Sequence, residues 1–106
     1  MHMEEIIMLI YKEELLQHTG IEIIKLPYLN IKEAKEAIMK LDVQYGIPCM
    51  WYMNNKENET KDYILCAIGT GHDYKELEKE SYIGSLLLFE GSLVLHYFLI
   101  EATGEM

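Results

Sequence analysis

Arginine is absent. All nine basic residues of this 106-residue chain are lysine, set against 18 carboxylates for a formal net charge of −9. Without a guanidinium the chain cannot form the planar two-point clamp on phosphate or carboxylate, and its acidic surface repels a phosphate backbone. An extended nucleic-acid groove is thereby excluded, although lysine and backbone N–H groups remain for a local anion site. Cysteine is scarce as well. Cys49 and Cys66 are the only two, far from the spacing of a metal or redox pair. Lacking an export signal, the chain should keep them as reduced, buried small hydrophobes. No apolar run reaches membrane-spanning length, because Glu90-Gly91-Ser92 interrupts the longest one. The first residues are acidic where a secretory leader would be basic, so a cytoplasmic protein that is off the membrane is expected.

What is present is β-forming material. Half the residues are apolar, enough for a single domain over 1–106 with a core of its own. Residues 4–11 read as a first strand, with a helix over 4–17 as the rival, since Lys12–Gln17 are good helix formers. Ile21–Leu26 reads as a second strand, stopped by Pro27. Asn30 with Glu33 forms a capping-box pattern, which predicts a short helix over about 31–37. Ile38–Tyr45 alternates, placing Met39, Leu41 and Val43 on one side and Lys40, Asp42 and Gln44 on the other. Tyr45-Gly46 turns the chain into a strand over 47–53. Residues 54–62 are polar throughout and should form an exposed, mobile loop. Strands over 63–68, 82–89 and 93–100 should make the centre of a sheet. A turn of helix or ordered loop is expected over Asp73–Glu80, and a frayed tail over Glu101–Met106. The fold class is mainly β (α+β), an antiparallel sheet or small open barrel of six or seven strands with one or two short helices.

Lys40-Leu-Asp-Val-Gln44, Gly46-Ile-Pro-Cys-Met-Trp51, Ile68-Gly-Thr-Gly-His72, Tyr82-Ile-Gly84 and Gly91-Ser-Leu-Val-Leu-His-Tyr-Phe98 stand in fixed order. In that combination they resemble a family of short domains of unknown function common in phage and prophage genomes. The resemblance covers about residues 38–100 and extends to Ile23–Pro27, whereas Tyr28–Ala37 looks like an insertion. It implies a β fold and a phage or mobile-element setting in a bacterial host, and no particular reaction.

Gly69-Thr70-Gly71-His72 is the first candidate for chemistry. A Gly-x-Gly after a strand can present backbone N–H groups to an anion, but the third glycine of a dinucleotide fingerprint is missing. A tight turn or bulge that His72 closes by a side-chain hydrogen bond is the simpler reading. His96 lies mid-strand, where a lone histidine is more often a satisfied core or interface residue than a base. No catalytic residue, metal ligand set or cofactor is assigned. The aromatic residues are more suggestive. Strand 93–100 is apolar on both faces, with Leu93, Leu95, Tyr97 and Leu99 opposite Val94, His96, Phe98 and Ile100, and 47–53 and 63–68 behave likewise.

A small domain has one core, so a sheet apolar on both sides needs a second cover. A homodimer or higher homo-oligomer would supply it; a curled sheet or small barrel is the alternative. The function expected is a non-enzymatic accessory protein, a self-associating binding module for a host or phage protein. The alternative is an anti-defence protein that sequesters a small nucleotide signal. For that reading the ligand-binding candidates are Trp51 as a stacking face, the Gly69, Thr70 and Gly71 amides, His72 and His96. A small enzyme without a recognisable motif ranks third.

Overall fold

The computed structural model describes residues 8–55, 58–72 and 77–102. In chain order these form β1 (Met8–Glu14), β2 (Gly20–Leu26), α1 (Ile31–Ala37), β3 (Ile38–Gln44), β4 (Ile47–Asn55), β5 (Lys61–Gly69), a 3₁₀ turn (Lys79–Ser81), β6 (Tyr82–Leu88) and β7 (Leu93–Glu101). The strands make two antiparallel sheets, one ordered β1-β4-β3 and the other β2-β5-β7-β6. Both are open, so the fold is mainly β without closing into a barrel. Among the described residues no helix is long and apolar enough to cross a membrane.

The first segment is a strand, not a helix, from Met8 onward; residues 4–7 lie outside the described residues. β1 pairs with β4 from Met8↔Asn55 to Glu14↔Cys49, and the Leu15 N–H continues the contact to the Pro48 carbonyl at 2.9 Å. Helix propensity at Lys12–Glu14 is a weak preference that this ladder overrides. Leu15 then turns into the core with 4% of its surface exposed.

Both sheets share one core. Met50 and Tyr52 from β4 meet Ile24, Leu65, Leu95 and Leu99 from the larger sheet. Helix α1 closes one end with Ala34 fully buried. Half of its capping box forms: Asn30 Oδ1 accepts the Glu33 N–H at 2.9 Å, while Glu33 Oε2 reaches one residue past the N-cap and accepts the Leu29 N–H at 3.0 Å. Three buried tyrosines tie loops to strands by donating to carbonyls. Tyr28 reaches Met53 at 2.6 Å, Tyr63 reaches Tyr28 at 2.8 Å, and Tyr97 reaches Leu16 at 2.6 Å.

Several expectations are corrected. Met39 is not an inward residue, because the β3–β4 register slips between Ile38 and Lys40; this bulge leaves Met39 55% exposed. Glu101 does not fray. It ends β7, accepts the Ile31 N–H at the start of α1 at 3.1 Å and pairs with Lys61 at 3.0 Å. The expected loop over 54–62 is shorter, since Asn54 and Asn55 belong to β4 and Lys61 and Asp62 to β5. Asn58 also anchors to the Pro27 carbonyl at 3.2 Å. Phe89 leaves its strand for the turn, with φ of 52°. Of the segment 73–80, residues 73–76 lie outside the described residues and Lys79–Ser81 form the 3₁₀ turn. Residues 103–106 of the expected tail also lie outside them.

Candidate functional site

Strand β7 sorts its side chains by parity. Leu95, Tyr97 and Leu99 are fully buried in the core, so Val94, His96, Phe98 and Ile100 point to the opposite face of the sheet. Their register partners share that face: Ile68 and Ser85 flank His96, Cys66 and Tyr82 flank Phe98, Ile64 lies beside Ile100, and Leu87 lies beside Val94. Strand β2 adds Ile21 beside Cys66 and Ile23 beside Ile64. Ile21 is 69% exposed, Ile23 65% and Leu87 63%. On a chain with net charge −9, the register puts only one pair of formal charges on this face, the corner ion pair of Lys25 and Asp62 at 2.7 Å.

The outer face of the three-stranded sheet differs. There Trp51 lies between Lys12 and Lys40, and the Lys12 ammonium donates to Gln44 at 2.8 Å. Apolar alternation over 47–53 therefore does not make that face apolar, because its neighbours carry charge.

At one end of the apolar face the turn after β5 leaves a cleft of about 510 Å³. The turn is closed by His72 through its backbone and not, as expected, through its side chain: the His72 N–H donates to the Gly69 carbonyl at 3.2 Å, with Gly71 at a φ of +88° that favours glycine. Phe98 and Leu77 supply an apolar wall, and Lys79 a cation. The Tyr82 ring packs edge-on against Phe98 at 5.5 Å.

A chain of four polar side chains crosses this cleft. Tyr82 Oη lies 2.6 Å from Ser85 Oγ, Ser85 Oγ lies 2.6 Å from His96 Nδ1, and His96 Nε2 lies 2.8 Å from Thr70 Oγ1. Simple alternation would put Tyr82 and Ser85 on opposite faces of β6. The register shift between Tyr82 and Gly84 brings both to one face, and Gly84 takes the φ of +151° that the bulge needs.

Of the sequence candidates, Gly69, Thr70, Gly71, His72 and His96 all line this cleft. Trp51 does not. It sits on the other sheet in a separate hollow with Ile10, Met39 and Gln44. Sequence reasoning passed over Lys79, Tyr82, Ser85 and Phe98. Gly84, a glycine inside a strand, was the available signal for the bulge that gathers Tyr82 and Ser85.

The arrangement resembles part of a hydrolytic triad only superficially. A nucleophilic serine needs a carboxylate behind the imidazole, and here the far nitrogen meets the Thr70 hydroxyl. Among the described residues no carboxylate or cysteine lines the cleft, and no group of three potential metal ligands occurs. Cys49 and Cys66 are free, buried and in different sheets, with burial pushing both thiols up. What the cleft can do is hold a small molecule between an apolar wall and a row of hydroxyls that share an imidazole.

The family described as Domain of unknown function (DUF7352) matches the chain over residues 8–105. Nothing among the curated proteins or the solved structures matches it significantly.

Proposed function

This chain belongs to the DUF7352 family, and we propose that it is a non-enzymatic binding module that works as a homodimer. The observation that carries this reading is the outer face of β2-β5-β7-β6. Loss of charge with retention of exposed aliphatic side chains is the mark of an interface core. A second copy covering Ile21, Ile23 and Leu87 would bury what water now touches. Four strands of about seven residues span roughly 20 by 25 Å, which sets the contact at the small end of stable interfaces and makes the dimer reversible.

In the phage or mobile-element setting that the sequence resemblance implies, such a module acts in the bacterial cytoplasm on a host or phage protein. The cleft favours a second reading, in which the captured species is a small nucleotide signal of host defence. Phe98 and Tyr82 offer it an aromatic wall and Lys79 a cation.

Light scattering on a concentration series tests the dimer. A mass approaching twice 12.4 kDa at high concentration, reverting to 12.4 kDa in Ile23→Lys, is expected; a strict monomer throughout overturns it. A thermal-shift screen over cyclic nucleotides and ADP-ribose derivatives separates the two ligand classes, since no shift with any of them favours the protein partner.

A further inference from the structure

We infer that the cleft binds a small organic oxyanion, carboxylate or phosphate, between Thr70, Tyr82 and Lys79, and that binding draws a proton onto His96. This rests on the cleft being a ligand site and not on dimerisation.

The argument is a count of protons along Tyr82–Ser85–His96–Thr70. Three heavy-atom contacts of 2.6, 2.6 and 2.8 Å each hold one proton. Three hydroxyls and a neutral imidazole supply four, so one is left at an end of the chain. With the proton on Nδ1, Thr70 donates to Nε2 and Tyr82 keeps a free O–H. With the proton on Nε2, Tyr82 donates to Ser85 and Thr70 keeps the free O–H. In either tautomer one end offers a donor and the other only lone pairs.

A second imidazole proton changes both ends at once. Nδ1–H then donates to Ser85, Ser85 to Tyr82, and Tyr82 outward. Nε2–H donates to Thr70, and Thr70 outward. Both Thr70 and Tyr82 line the cleft, so the charged form presents two outward donors and a cation where the neutral form presents one donor. Lys79 adds a permanent donor in the same cleft. That set of donors suits an oxyanion, whose oxygens only accept. Phe98 and Leu77 on the wall suit an apolar or aromatic body, and about 510 Å³ is within the usual range for small-molecule sites.

Among the described residues, the titratable groups around His96 are His72 from the turn after β5, Lys79 from the 3₁₀ turn, Tyr82 from β6 and Cys66 from the neighbouring β5. No carboxylate is among the described lining residues to oppose the bound anion. Because only the doubly protonated ring turns both end hydroxyls outward as donors, an oxyanion favours that form, and proton uptake accompanies its binding.

Calorimetric titration of the full chain with benzoate and with diphenyl phosphate provides the test, since neither probe titrates between pH 6 and pH 8. Affinity is expected to rise roughly tenfold from pH 8 to pH 6, over the range where histidines titrate. His96→Gln should remove that slope, whereas His72→Gln and Lys79→Gln should keep it, the latter with weaker binding throughout. Benzoate alone binding assigns a carboxylate ligand, and diphenyl phosphate alone a phosphate ligand. A flat profile in the wild type, or a slope that survives His96→Gln, overturns the proposal. Failure of both probes to bind also overturns it and leaves the dimer untouched. Should His96→Gln not fold, titration of the wild type in buffers of different ionisation enthalpy counts the proton directly, with uptake expected and none overturning the coupling.

Discussion

Leu41 Cδ2 on β3 lies 3.0 Å from the point where a side chain on Gly84 of β6 would begin. This contact lies on the β3–β6 seam between the two sheets, and Gly84 is also the residue that the bulge holds at a φ of +151°. Gly84→Ala meets both a steric and a conformational cost. We expect a loss of about 1–3 kcal/mol in stability, read as a lowered Tm. Adding Leu41→Ala should return only the steric part, so full recovery in the double variant would show that the backbone there is unstrained.

Tyr97 donates to the Leu16 carbonyl from a fully buried position. Tyr97→Phe keeps the ring and orphans that carbonyl, which predicts a loss of about 1–2 kcal/mol. Chemical denaturation of the two proteins measures it, and equal midpoints would disprove the role.

Alkaline pH should reveal the same tyrosines. Burial pushes Tyr63 and Tyr97 up to about 12, above the ordinary value of 10 in the unfolded chain. A raised folded value means the contribution to stability is complete below about pH 10 and disappears as the pH climbs through 12. Tyrosinate absorbance from these residues should therefore appear together with loss of the β signal in circular dichroism. Smooth titration near pH 10 in a folded protein would contradict their burial.

Glu101 behaves in the opposite sense. The Lys61 hydrogen bond, followed by the Ile31 N–H, holds its carboxyl below the usual range. Stability from this group is present above about pH 4.5 and fades as the pH falls through the lower folded value. Glu101→Gln should cost about 0.5–1 kcal/mol at pH 7, a modest figure because the pair is partly solvated. The variant and the wild type should converge as the pH falls through that lower folded value.

The β3–β4 hairpin turns on Tyr45 and Gly46, with φ of 52° and 79°. Two consecutive left-handed residues suit Asn-Gly better than Tyr-Gly. Tyr45 is 95% exposed and loses nothing on replacement. Tyr45→Asn is expected to raise stability by about 0.5 kcal/mol, seen as a Tm increase; an unchanged or lower Tm would count against that turn geometry.

Elements that depend on neighbours in sequence were legible in advance. Asn30 and Glu33 announced α1, and the apolar runs at 63–68 and 93–100 announced β5 and β7. What escaped depended on partners distant in sequence. The bulges at Met39 and at Ile83–Gly84 each displace a residue, and a rule of strict alternation cannot see them. For that reason Met39 was placed inside and Ser85 was overlooked. Trp51 and Gly69–His72 looked alike as candidates because nothing local reveals that they belong to different sheets. Glu101 looked like tail because its partners, Ile31 and Lys61, are 70 and 40 residues away.

The strand order β2-β5-β7-β6 has a bearing on biosynthesis. Strand β7 lies between two strands that precede it in the sequence, so β5 has only β2 beside it, and β6 has no neighbour, until residues 93–101 are free of the exit tunnel. The larger sheet thus assembles only after β7 has been synthesised. A nascent chain halted before residue 93 would leave β6 unpaired and one edge of β5 open, making a stall at that point a hazard for aggregation.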